Sequence, residues 1–235
     1  MASLKANARK VICIGRNYAD HITELNSARP SQPFFFLKPT SSILAPGKGP
    51  IVRPRGVDLH YEVELGLVIG QTTHPLKNLS ASDSKILDCV RSYFLSIDLT
   101  ARNVQNEAKK KGLPWSIAKG FDTFLPISQE IPRDRIADPH DVEIWLSVND
   151  EVKQKDNSNL MLFNIPRILS DISKVMTLEE GDLVLTGTPK GVGPIKGGDV
   201  VKCGLLSDGR EVVEANMLLD VVDAEGDDGY IFRET

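Results

Sequence analysis

The chain has 235 residues, 41% of them apolar and 26% charged, enough for one large domain or two small ones with an ordinary core and surface. Its net charge of −4 argues against nucleic acid as a partner, and no apolar run approaches the roughly 18 residues of a membrane span. Cys13, Cys89 and Cys203 are sparse and lie inside apolar runs, so they read as buried thiols in a reducing compartment. The start carries Lys5, Arg9 and Lys10, has no early acid and lacks the apolar core of a secretory signal. It fits the stub of a mitochondrial presequence. With thiols reduced, the glycosylation sequon Asn78-Leu79-Ser80 is irrelevant.

Residues 1–45 form a lead segment and residues 46–235 the main body, one structural unit overall. In the lead segment, residues 10–14 read as a strand, Gly15-Arg16-Asn17 as a turn and residues 18–25 as a short helix. Residues 33–37 read as an aromatic strand closed by Lys38-Pro39. The Gly/Pro-rich residues 46–54 separate this segment from the main body. There, residues 59–70 alternate like a strand, and residues 81–90 suggest a helix leading into a second strand that ends near Asp98. Thr100 has the position of an N-cap for a helix over residues 101–110, stopped by Gly112 and Pro114. Residues 126–139 form a loop with three prolines. Residues 142–148 alternate again before a hairpin turn at Asn149-Asp150. Residues 163–175 are helical, and residues 182–222 are strands joined by glycine turns. Strands dominate without regular βαβ alternation, which predicts a mixed or mainly antiparallel α+β fold.

The 59–70 strand carries the strongest chemical signal. Its period of two puts Glu62 and Glu64 on one face, within reach of a common point. Two carboxylates that close repel unless a proton or cation joins them. Asp98 ends another apolar run. Three carboxylates without nearby Cys or His suit Mg²⁺ or Mn²⁺ before Zn²⁺. Exposed acids on a half-buried strand are the bland alternative. His21 and Glu24, three apart on a helix, can act as a base and its orienting carboxylate, or form an ordinary surface pair. Arg102 and Gln105 share a helical side one turn beyond Asp98, where an Arg can clamp a substrate carboxylate; a solvated face is the alternative. Lys119 sits in an apolar stretch, and a buried ammonium there needs an acid or a bound anion. The loop Thr186-Gly187-Thr188-Pro189-Lys190-Gly191-Val192-Gly193 lacks nucleotide-loop spacing, but its N–H groups and Thr188 could bind a small carboxylate, or it is a plain turn.

Taken in order, Glu62-x-Glu64, Asp98 with Arg102 and Gln105, Ala118-Lys119-Gly120-Phe121 and Thr186-Gly187-Thr188-Pro189 resemble the fumarylacetoacetate hydrolase domain family. Gly15-Arg16-Asn17-Tyr18-Ala19-x-His21 and Phe36-Leu37-Lys38-Pro39 fit its short form. Residues 34–42, 100–115 and the ending Phe232-Arg233-Glu234-Thr235 are similar to fungal mitochondrial members. The resemblance covers roughly residues 10–222. It implies mixed sheets rolled around a metal site, a homodimer, and Glu62, Glu64 and Asp98 as ligands to Mg²⁺, with Mn²⁺ as an alternative. It implies His21 and Glu24 as a dyad on a lid, with Lys119, Arg102, Gln105 and Thr188 lining the substrate pocket. The larger family members have a further Asp ligand before the catalytic His. Here only Asp20 stands in that stretch.

The implied chemistry begins with a small 2-oxo acid, dicarboxylic or 2,4-dioxo, whose enolate a metal stabilises. Three outcomes share that enolate: enol–keto exchange of oxaloacetate, its decarboxylation, and C–C hydrolysis of an acylpyruvate. Likeness to the fungal mitochondrial members puts the tautomerase first, in the mitochondrial matrix, with the cytoplasm as the alternative. A metal-stabilised dimeric scaffold would need the acids but not His21, Glu24 and Lys119. A calcium-binding module would not need Lys119.

Overall fold

Four sheets share the strands of the computed structural model, which describes residues 4–24, 28–71 and 84–226 together with Tyr230 and Phe232. The first sheet has six strands, in the order Ile131–Pro132, Val90–Ile97, Val63–Ile69, Leu183–Leu185, Val11–Gly15, Phe34–Lys38. All its neighbours are antiparallel except Val11–Gly15 and Leu183–Leu185, which run parallel. A second sheet runs Glu151–Asn157, Val142–Val148, Val200–Ser207, Met217–Asp223, Ile51–Arg53, with the last pair parallel. A three-stranded sheet joins Gly193–Ile195, Leu59–Tyr61 and Thr100–Ala101. The fourth pairs Ile43–Leu44 with Leu125–Pro126. The architecture is α+β, mixed and strand-dominated, as the irregular order of elements implies.

The Val63–Ile69 strand is an inner strand, bonded to Val90–Ile97 on one side and to Leu183–Leu185 on the other. Every one of its residues is therefore buried on both faces. The expected continuous strand breaks at Glu62: Leu59–Tyr61 belongs to the three-stranded sheet and Val63–Ile69 to the six-stranded one. Glu62 sits at that change of partner. Asp98 follows Val90–Ile97 directly, and its N–H donates to Glu62 O at 2.8 Å, which fixes the two acids side by side.

The lead segment begins with a short helix, Leu4–Asn7, and its strands enter the first sheet, with Val11–Gly15 beside Leu183–Leu185. Helix Ala19–Glu24 falls within the expected helix, whose last residue, Leu25, lies outside the described residues. Asn17, fully buried, ties its start to two distant loops. Its Nδ2 donates to Phe163 O at 3.0 Å and to Thr186 O at 2.8 Å, and its Oδ1 accepts from Phe163 N at 2.8 Å.

Other elements depart from the sequence pattern. The helix expected over residues 81–90 is a 3₁₀ helix, Ser84–Cys89, in its described part; residues 81–83, the sequon and the final three residues lie outside the described residues. Thr100 does not cap a helix. It lies in the short strand Thr100–Ala101, and the helix is Arg102–Lys111 with Ala101 at the cap. Gly112 ends it in the left-handed region, as expected. The Gly/Pro-rich stretch holds the strand Ile51–Arg53, and the proline loop holds Leu125–Pro126 and Ile131–Pro132. The hairpin turn stands as read: Asn149 and Asp150 both have positive φ, 50° and 66°, matching the twist of the strands they join. Helix Ile165–Val175 begins with Asn164 accepting from Arg167 N at 3.0 Å and Pro166 in its first turn.

Candidate active site

Glu62, Glu64 and Asp98 each place a carboxylate oxygen within 4.8 Å of the others, and all three side chains are buried. Lys119 is buried against them. Its Nζ donates to Glu62 Oε2 at 3.0 Å and to Asp98 Oδ2 at 2.7 Å, and it lies 4.8 Å from the centre of the Phe36 ring. Arg102 donates through Nη2 to Glu62 Oε1 at 2.5 Å and through Nη1 to Gln105 Oε1 at 2.6 Å. Thr100 Oγ1 donates to Glu62 Oε1 at 3.1 Å, which is what its hydroxyl does instead of capping. Gly187 N donates to Glu64 Oε2 at 2.7 Å. That contact requires glycine: φ is +97°, and a Cβ would stand 2.7 Å from Asn17 Cβ.

Lys38 completes the cluster, and its local sequence gives little sign of it beyond a Lys ending an aromatic strand. Its Nζ lies 2.7 Å from Asp98 Oδ1 and donates to Leu99 O at 3.0 Å. The contact with Asp98 is an ion pair by distance but lacks hydrogen-bond geometry, so Oδ1 has no hydrogen-bond donor. The acids are thus not the uncompensated group that their spacing suggests. Three cations drawn from three separate segments face them.

These contacts decide the protonation tendencies. Burial would raise the Glu62 carboxyl, but Lys119 and Arg102, with His21 behind them, hold it well below the usual carboxylate range. Burial, then Asp98 and Glu62, push Glu64 well up. Burial would lower Lys119, yet Asp98 and Glu62 raise it above the ordinary lysine value. Lys38 is lowered, because burial outweighs Asp98.

One cavity of about 30 Å³ is lined by His21, Glu62, Glu64, Asp98, Arg102, Gln105, Lys119 and Thr188, together with Arg16, Phe34 and Trp115. That is room for about two waters. Glu24 stands behind His21, with Oε2 3.3 Å from His21 Nδ1. A carboxylate only accepts, so Nδ1 carries the proton and Nε2 keeps a lone pair. Burial lowers the His21 pKa more than Glu62 and Glu24 raise it. Thr188 lines the cavity with its hydroxyl already engaged, donating to Val63 O at 2.8 Å and accepting from Gln154 Nε2 at 2.9 Å. Asp20 is exposed and pairs with Lys190 at 2.8 Å, outside the cluster of three acids. A wider surface groove of about 480 Å³ passes Asp134, Arg135 and Glu214 but shares no residue with the acid cluster. Its volume brings no chemistry with it.

The profile of the fumarylacetoacetate (FAA) hydrolase C-terminal family matches residues 10–217. The chain belongs to the fumarylacetoacetate hydrolase family. A mitochondrial oxaloacetate tautomerase of Schizosaccharomyces pombe is 56% identical over 202 residues, 86% of this chain and 90% of that protein. A mitochondrial oxaloacetate decarboxylase of Dictyostelium discoideum is 49% identical over 215 residues, 91% of this chain and 94% of that protein. The crystal structure of the yeast family protein ynq8 matches with a TM-score of 0.88 at 42% identity and covers 100% of both chains. Fumarylpyruvate hydrolase from Pseudomonas aeruginosa, in complex with Mn²⁺ and pyruvate, matches with a TM-score of 0.80 at 31% identity over 92% of this chain and 91% of that one. The short-form resemblance read from the motifs is therefore confirmed at the level of family and fold.

Proposed function

We propose that the chain is a divalent-cation-dependent enzyme that interconverts the enol and keto forms of oxaloacetate. Three buried carboxylates gathered within 4.8 Å of one another, in a cavity shared with His21, are the observation that carries this reading. Glu62, Glu64 and Asp98 bring three formal negative charges, and Lys38, Arg102 and Lys119 bring three positive ones. With Arg16 and Lys109 also lining the cavity, a divalent cation added to that set makes the site cationic, which suits an anionic 2-oxo acid. The named activities of the relatives supply the particular acid.

The donor set fits a hard cation: three carboxylates with no Cys or His among them. We assign Mg²⁺, with Mn²⁺, the ion in the fumarylpyruvate hydrolase complex, as an alternative. Bound there, the cation would supply Lewis-acid polarisation of the 2-oxo group. Lys119 places a second positive charge where the oxyanion develops. Arg102 Nε is buried without a partner and is a free donor for a substrate carboxylate. Gln105 holds the other side of that guanidinium. His21, neutral and held by Glu24, moves the proton at C3 through Nε2.

This role fixes a pH dependence. His21 is lowered from the usual 6.5, so the neutral base dominates at pH 7. Its folded-state preference for the neutral form is kept above the unfolded value and lost as pH falls through the folded one. The acidic midpoint of the kcat profile is expected below 6.5. A midpoint above that, unmoved in His21→Ala, removes His21 from proton transfer.

The deciding experiment follows enol absorbance, CO₂ release and acetate formation on one preparation at one pH and Mg²⁺ concentration. We expect kcat/KM to be highest for oxaloacetate tautomerisation, above its decarboxylation and above acetylpyruvate hydrolysis. Tautomerisation breaks no C–C bond, so its mere presence is weak support and its rank is the test. If CO₂ release ranks first, the decarboxylase reading favoured by the Dictyostelium relative replaces ours; if acetate ranks first, the acylpyruvate hydrolase reading does. A mitochondrial matrix location, a homodimer and a lid carried by residues 1–45 belong to the same proposal. Sedimentation velocity tests the dimer.

A further inference from the structure

The dyad is held from a third side. Both oxygens of Glu24 accept from the backbone N–H of Gly191, at 3.1 and 3.2 Å, while Oε2 faces His21 Nδ1. Glu24 is otherwise on an exposed part of its helix, and a carboxylate there is free to turn toward water. The Gly191 N–H removes that freedom. Its own position is tightly set. Gly191 has φ +91°, and a Cβ would stand 2.0 Å from Lys153 O, so the loop presses directly onto the Glu151–Asn157 strand. The residue beneath it is Gln154, which is fully buried. Gln154 Nε2 donates to Thr188 Oγ1 and to Pro189 O, both at 2.9 Å, and Oε1 accepts from Val63 N at 2.9 Å. One amide therefore ties the loop to the strand between the two glutamates of the acid cluster.

We propose that the Gly191 N–H and the Gln154 side chain are positioning groups for the His21–Glu24 dyad, the first holding Glu24 and the second holding the loop that carries that N–H. The proposal rests on the reading that the dyad transfers a proton. A triad of this kind orients a base through two successive hydrogen bonds, and its members act as a unit rather than additively.

The test is a double-mutant cycle with a spectroscopic control. Glu24→Gln is expected to lower kcat for oxaloacetate enol–keto exchange by about 10². Gly191→Ala is expected to lower it by roughly 10-fold, with KM and Mg²⁺ affinity unchanged, and to add little in the Glu24→Gln background. A purely structural role gives additive losses. Gly191→Ala strains its loop, so the wild-type fold supplies the second measurement: Glu24→Gln shifts the Gly191 amide proton in NMR and speeds its exchange with solvent. Additive losses, or a Gly191 amide indifferent to Glu24, overturn the proposal. A normal rate in Glu24→Gln alone overturns the dyad reading beneath it, which is a separate result.

Discussion

Replacing Lys119 with methionine is expected to tighten cation binding while abolishing most turnover. The ammonium stands 3.0 Å from Glu62 Oε2 and 2.7 Å from Asp98 Oδ2, so it competes for two of the three acids that would hold the cation. Two unit charges about 4 Å apart interact by roughly 4 kcal/mol at an effective dielectric of 20. Removing that repulsion, even after relaxation and screening, is expected to lower the Mg²⁺ dissociation constant by about 10-fold or more. The same change strips Asp98 and Glu62 of a partner. Breaking a buried pair costs about 3–5 kcal/mol, so the variant melts lower before Mg²⁺ is added and gains more when it is. Turnover is expected to fall by about 10²–10³, the loss typical of removing one donor to a developing oxyanion. Calorimetry and kinetics on the same preparation check both halves. Weaker Mg²⁺ binding in Lys119→Met would show that Lys119 organises the acids instead of competing for them. Unchanged turnover would remove it from the chemistry.

How much of this site the sequence discloses depends on how local each signal is. The alternation at Glu62 and Glu64 is a property of one strand, and a period of two is enough to put them together. Their burial is not local: it comes from the Leu183–Leu185 and Val90–Ile97 strands on either side. Lys119 is legible because a charge in an apolar run needs a partner wherever it sits. Lys38 obeys the same rule but follows a surface-compatible aromatic strand, and only the sheet reveals its contact with Asp98. Thr100 shows local propensity losing to a tertiary partner. A hydroxyl before a helix usually caps it, yet here Glu62 Oε1 is the better acceptor, and Ala101 stands at the helix start. The helix pattern over residues 81–90 fails for a related reason. Its described part runs straight into the Val90–Ile97 strand, and Ser84–Cys89 tightens to a 3₁₀ helix. The loop of Gly191 is legible as a set of N–H groups suited to a carboxylate, but that the carboxylate is Glu24 is not, and Gln154 carries no signal beyond a polar residue in a strand; both roles depend on the approach of one loop to one strand.

Exchanging Glu64 for glutamine is expected to leave the fold standing and remove its response to metal. The substitution keeps the shape and keeps an amide oxygen for the Gly187 N–H, which donates to Glu64 Oε2 at 2.7 Å. It removes a carboxyl whose charge burial, Asp98 and Glu62 already disfavour in the metal-free site, and which a cation would have to ionise. Without added metal, the variant is therefore expected to match the wild type in stability, since little charge and no acceptor is lost. With metal the two diverge. A ligand at 100 times its dissociation constant stabilises the folded state by about 2.7 kcal/mol. For a chain of this size each kcal/mol moves the melting point by roughly 2–4 °C, so the wild type gains about 5–10 °C. Glu64→Gln is expected to gain almost none of this at the same Mg²⁺ concentration. Its kcat/KM for oxaloacetate is expected to fall by about 10³ or more, the loss of roughly 4 kcal/mol of transition-state stabilisation. The comparison separates two explanations for the buried acids. If they serve only to pair with Lys38, Arg102 and Lys119, Glu64, whose carboxylate partner is the Gly187 N–H, can be neutralised with any Mg²⁺ response left intact. If they hold a cation, the apo melting point is preserved and the Mg²⁺ response disappears together with turnover.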